Sequence, residues 1–184
     1  MNGRIVGLGV LAAAGVAGAA LYYFQVYGFY EDVTDEAGTV QLVAKDTGAT
    51  EAIETADFRA IDADSSPIRF RACFTTEAAP ETLDARYERV EDAVPRNAPG
   101  WFDCFDAEAI AARLADGTAR AYLGQKNVHY GADRIVVVTE DRQGFAWNEL
   151  NNCGEKAYDG TVIGEDCPEH PATGTAVDEA EAGN

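Results

Sequence analysis

The pattern of apolar and polar positions falls into two regimes. Residues 5–24 contain no charged side chain. As a helix rising about 1.5 Å per residue, such a run is roughly 30 Å long, the thickness of a bilayer's hydrocarbon core. Arg4 precedes it. Tyr22, Tyr23, Phe24, Tyr27, Phe29 and Tyr30 close it, ahead of the acidic pair Glu31 and Asp32. Aromatic residues gathered at one end fit an interfacial belt, and a lone positive side chain on the short N-terminal side favours an N-inside, C-outside topology.

Beyond residue 30 the period changes. Residues 31–38 are acidic and read as a linker. Residues 39–45 alternate, with Val40, Leu42 and Ala44 on one face, and predict a strand. Residues 58–62 and 68–74 predict two more around a turn at 62–67. In the second, Ile68, Phe70, Ala72 and Phe74 share one face and Arg69, Arg71 and Cys73 the other. Leu83, Tyr87, Val90 and Val94 lie near helical spacing, so residues 81–94 read as a helix ending before Pro95. Asp106 reads as the N-cap of a helix over 107–116, with Ile110 and Leu114 as its buried stripe and Gly117 as its stop. Residues 119–123, 134–139 and 145–150 predict strands, the last two as a hairpin. Strands outnumber helices without regular βα alternation. The predicted fold is therefore α+β: one N-terminal transmembrane helix plus a small mixed domain built on an antiparallel sheet. Its divisions are a signal anchor with aromatic belt at 1–30, a linker at 31–38, the domain at 39–167 and an acidic disordered tail at 168–184.

Two other readings of the N-terminal segment compete. Ala17, Gly18 and Ala19 resemble a signal-peptidase site, but the apolar run continues to Phe24 without a polar region. Cleavage or retention alike exports the remainder. Gly7, Gly9 and Ala12 literally match a dinucleotide-binding G-x-G-x-x-A, yet no βαβ unit follows. Ala14, Gly15, Gly18 and Ala19 form small-x-x-x-small pairs that let a second membrane helix approach closely.

Charge narrows the function classes. The 184 residues hold 32 acidic and 14 basic side chains, a formal net charge of −18. Such a surface repels phosphate backbones and anionic lipid headgroups, so no nucleic-acid partner is expected. Hydrophobic content of 47% is enough for a packed core.

The four cysteines, Cys73, Cys104, Cys153 and Cys167, include no C-x-x-C pair, which argues against a zinc knuckle or a thioredoxin-type dithiol. An even number outside the cytoplasm favours disulfides. Sequence does not choose among the three possible pairings; Cys73–Cys104 with Cys153–Cys167 is the one taken forward. Of the two histidines, His129 sits between predicted strands and His170 in the tail. Neither is marked as catalytic, Ser65 and Ser66 lie in a turn, and no phosphate-cradling loop is present. No catalytic residue, metal ligand or cofactor is assigned. The densest constellation joins residues 101–106 to 145–154. It reads as a disulfide-braced aromatic core, or as a binding face offering Trp101, Trp147, Asn148 and Asn151.

Three stretches carry a likeness to known sequences: the anchor ending Tyr27-Gly28-Phe29-Tyr30, the run Gly100-Trp101-Phe102-Asp103-Cys104-Phe105-Asp106, and Asn151-Asn152-Cys153-Gly154-Glu155. Asn127-Val128-His129-Tyr130-Gly131, followed by Asp133-Arg134, adds a fourth. With these, the chain up to about Gly160 resembles an uncharacterised alphaproteobacterial family of small, singly anchored proteins. The resemblance implies a Gram-negative periplasm and transfers no activity. The expectation is a membrane-anchored, non-enzymatic periplasmic module that assists or assembles an inner-membrane protein complex, met through the Gly/Ala helix and the domain. A small-ligand-binding or sensory domain is the alternative, and an undescribed enzyme using Cys104 or His129 a weaker one.

Overall fold

The computed structural model describes residues 2–35 and 37–168. The tail from residue 169 onward, His170 included, lies outside the described residues. Asn2 caps α1 (Gly3–Tyr23), its side chain accepting from the Arg4 N–H. A π-helical turn, Phe24–Gly28, extends α1. No side chain of either is buried by the rest of the chain, and together they are long and apolar enough to cross a bilayer.

The body is an α+β domain. A six-stranded sheet runs in the order β1 (Glu31–Asp32), β4 (Ala56–Asp62), β5 (Arg71–Thr75), β8 (Gln143–Leu150), β7 (Ala132–Thr139), β6 (Ala119–His129). Every neighbouring pair in it is antiparallel. β2 (Gln41–Val43) and β3 (Thr50–Ala52) form a separate hairpin. Two helices, α2 (Pro80–Arg86) and α3 (Ala107–Asp116), complete the set among the described residues.

Strand alternation sends side chains to two cores. On one face, Ala60, Phe70, Ala72, Phe74, Tyr122, Val136, Val138 and Ala146 pack against Val40, Leu42, Ala44 and Ile53 of the hairpin region and against Leu83 and Tyr87. On the other, Ile61, Cys73, Ile135, Val137, Phe145 and Trp147 pack against Phe102, Phe105 and Ile110. β7 shows why this sheet is central: Ile135, Val136, Val137 and Val138 are all buried, two to each face. A continuous apolar run marks a strand covered on both sides. Gly144 is required where β8 passes Phe74, because a Cβ there would enter the Phe74 ring.

The predicted hairpin of β7 and β8 forms, as does α3, capped by the Asp106 carboxylate accepting from Glu108 and Ala109 N–H and closed by Gly117 at φ 82°. The predicted helix over 81–94 stops at Arg86, because Tyr87 turns extended (φ −108°, ψ 153°). Residues 87–90 run instead between β2 and β6. Glu88 N–H donates to Val43 O, and Val90 N–H to Ala121 O. Cross-strand partners satisfy the backbone there, so the helical spacing of Tyr87 and Val90 is coincidental. The predicted linker also differs, since Glu31 and Asp32 pair with Asp62 and Ile61 at the edge of the sheet.

Candidate functional site

The first notable geometry is the junction of the N-terminal helix and the domain. The last carbonyls of a helix lack intrahelical donors, and Val26 O accepts from the Trp101 indole Nε1 at 2.8 Å. Tyr27 stacks on Trp101 (centroids 6.3 Å, 18°), while Tyr30 and Phe102 meet it edge-on. The Arg69 guanidinium lies 5.6 Å from the Tyr30 ring centroid. Arg71 supports the loop that carries Trp101. Its nitrogens donate to the carbonyls of Arg96, Asn97, Ile68 and Phe70 at 2.6–3.2 Å, and burial lowers its pKa to about 10. The N-terminal helix therefore ends against the domain instead of in a free tether.

The proposed binding face does not assemble. Trp101 is 37% exposed, but Trp147 and Asn148 are fully buried, on opposite faces of the sheet. Alternation along β8 separates them. Trp147 is a core residue, edge-on to Phe105 at 6.2 Å. Asn151 is half-buried and structural: its Nδ2 donates to Asn127 Oδ1 (3.0 Å) and Asp133 Oδ1 (2.7 Å), and its Oδ1 accepts from Cys153 N–H. The likeness-bearing segments 127–134 and 151–155 thus meet at one end of the sheet.

The disulfides are Cys73–Cys104 and Cys153–Cys167. The first ties β5 to the loop before α3; the second closes a small exposed hairpin in which Lys156 bridges Val162. In this state Cys104 carries no free thiol. His129 is exposed at the β6–β7 turn. Among the described residues no group of three or more His, Cys, Asp or Glu side chains is placed to hold a metal ion. Ala14, Gly15, Gly18 and Ala19 are all exposed on α1.

A cleft of about 300 Å³ opens on the face of the sheet covered by β2, between residues 37–41 and β6. Val40, Phe58, Phe70, Val136 and Ala146 give it an apolar lining. Among the described residues one charged side chain, Arg134, enters that lining. Its guanidinium stacks over the Phe70 ring, 3.4 Å from the centroid. Arg134 Nε donates to Asn148 Oδ1 at 2.6 Å, and Asn148 Nδ2 donates to Pro67 O at 2.7 Å. Burial brings the Arg134 pKa down to about 10. In the sequence Arg134 stands at the start of a predicted strand and in a likeness-bearing stretch, with no binding role attached. The signal that points to it is register, because Arg134, Val136 and Val138 share one face and that face is core.

Fold, disulfides and junction define a class: a disulfide-bonded α+β domain carried behind one N-terminal helix long enough to span a membrane. Within it the chain belongs to the DUF6446 family of unknown function, matched over residues 40–168. No curated protein and no solved structure matches it.

Proposed function

We propose that this protein is a non-enzymatic module of the inner membrane of a Gram-negative bacterium. Its N-terminus is cytoplasmic, its domain periplasmic, and it assists or assembles a membrane complex. One observation supports this reading above others: the Trp101 indole bonded to Val26 O and stacked with Tyr27. A loose tether would only localise a domain. A docked helix end fixes the pose of the domain relative to the bilayer, which a factor acting on a neighbouring membrane protein needs. The partner is a transmembrane helix packed on Ala14, Gly15, Gly18 and Ala19, which α1 leaves uncovered. Arg4 ahead of the span favours the orientation, and two disulfides suit an oxidising compartment.

Affinity isolation of the full chain from membranes in mild detergent tests the reading. A stoichiometric membrane protein should co-purify with the natural chain and be lost from Gly15→Ile/Gly18→Ile, which still inserts and folds. Recovery of the lone protein across several growth conditions, or a partner indifferent to the double substitution, refutes it.

A further inference from the structure

We infer that the cleft beside Arg134 is a binding site for the carboxylate of a small monoanionic ligand with an apolar body. The inference is independent of the assembly role proposed above.

Two arginines of this domain, the buried Arg71 and the half-buried Arg134, make the argument by contrast. Arg71 Nε, Nη1 and Nη2 all donate to backbone carbonyls. Arg134 spends only Nε, on Asn148, and its terminal nitrogens have no hydrogen-bond or ion-pair partner among the described residues. Asp62 is the one acidic group whose field is felt there, and it lies beyond ion-pair distance. A guanidinium keeps its charge at neutral pH even with its pKa at about 10. Phe70 offsets part of the desolvation through the cation–π contact, but a ring cannot satisfy N–H donors.

The supports around Arg134 hold it for an incoming group. Asn148 is fully buried and fixes Nε through its own bond to Pro67 O. In register, Arg134 stands between Gln125 on β6 and Asn148 on β8. Glycine at position 124, in the bulge beside it, leaves out a side chain where one would crowd the stem: a Cβ there would lie 2.9 Å from Val136 Cγ2 and 3.0 Å from Arg134 Cγ. The fork of two terminal N–H groups matches a carboxylate in bidentate geometry. Gln41, Gln125 and Thr39 at the rim can take a second polar group.

Charge and volume define the ligand class. Among the described residues one cation lines the cleft, in a chain of net charge −18, so a monoanion is matched and a multiply charged anion is repelled. A cavity of about 300 Å³ is at the small end for ligand sites. Carboxylates of this kind reach the site either from water or from lipid breakdown.

Ligand-observed NMR titration of the full chain in phosphatidylcholine nanodiscs, with empty nanodiscs as reference, tests the assignment. Benzoate should bind saturably, and its neutral isostere benzamide and inorganic phosphate at least about tenfold more weakly. Arg134→Gln should remove the difference between benzoate and benzamide. Val128→Trp fills the cleft from its rim without touching the charge, so it should abolish benzoate binding at unchanged thermal stability. It decides the matter if Arg134→Gln fails to fold. Hexanoate and decanoate identify the source: affinity that climbs with added methylenes marks a lipid-derived acid, and affinity that does not marks a water-borne one; both carry the site. Equal binding of benzamide, preference for phosphate, full binding by either variant, or no saturable carboxylate binding overturns it.

Discussion

Trp147 and Trp101 are the two tryptophans of the chain, and they have opposite physical roles. Trp147 has no exposed surface and sits edge-on to Phe105, which also meets Phe145 at 5.9 Å. Its indole N–H is satisfied by Glu149 Oε1 at 3.1 Å, a carboxylate that also accepts from Val94 N–H. Truncation removes the largest buried side chain and leaves a cavity, so Trp147→Ala should destabilise the domain by about 3–5 kcal/mol in urea melts. Fully exposed Tyr158 provides the control: Tyr158→Ala should stay within about 0.5 kcal/mol. A Trp147→Ala loss under about 1 kcal/mol would mean that the indole is not core. The sequence groups both tryptophans into one constellation because proximity to cysteines and aromatics says nothing about depth. Alternation along β8 does carry that information, setting Phe145 and Trp147 on one face and Ala146 and Asn148 on the other. It becomes readable only once both faces of the sheet are known to be covered.

At the scale of elements, the two disulfides differ in what they hold. Cys73–Cys104 spans 31 positions and fastens the central strand β5 to the loop carrying Phe102 and Phe105. Cys153–Cys167 spans 14 positions and closes a surface hairpin whose Tyr158, Val162 and Ile163 are exposed; Lys126 pairs with Glu165 beside it at 2.5 Å. Loop-closure entropy assigns each about 3–4 kcal/mol in the unfolded chain, but only a link inside the cooperative core transmits that to global unfolding. Cys73→Ala/Cys104→Ala should therefore lower the melting midpoint clearly. Cys153→Ala/Cys167→Ala should shift it little, while amide exchange rises locally over residues 153–167. Equal midpoint losses would place the hairpin in the core unit. The pairing itself was legible as a preference, not as a deduction, since spacing alone admits other partners. α3 was legible because cap, stripe and stop frame one ten-residue helix, Asp106 before it and Gly117 after it. The end of α2 was not, because the partners that extend residues 87–90, Val43 and Ala121, are remote in sequence.

For the molecule as a whole, the excess of 32 acidic over 14 basic residues sets how stability responds to acid. Thr34 bonds hold Asp32 below the usual carboxylate range, Arg86 does so for Glu51, Thr118 for Asp116, Arg113 for Asp141 and Thr161 for Asp159. Folded values below the unfolded ones mean that the unfolded chain takes up more protons in that window. The contribution is complete above the ordinary carboxylate pKa and is lost as pH falls through the depressed values. Four of the five groups are solvent-exposed and Glu51 is half-buried, so each contributes little by itself; acting in the same direction, they turn the stability profile downward below about pH 4. Self-repulsion of the anionic surface acts oppositely and is screened by salt. Thermal scans of the oxidised chain from about pH 7 to pH 3 should show a midpoint that falls only on the acid side. Salt added at neutral pH should raise the midpoint, because screening relieves the repulsion of the many unpaired carboxylates by more than it weakens exposed pairs such as Arg113–Asp141. Glu51→Gln should shallow the acid limb, since Glu51 accepts from Arg86 Nε and Nη2 at 2.6 and 2.7 Å and from the Tyr87 hydroxyl at 3.1 Å, and its amide has no proton to gain. A midpoint that holds or rises down to about pH 3 would show that relief of charge repulsion outweighs these bonds, making net charge the dominant electrostatic influence on the fold.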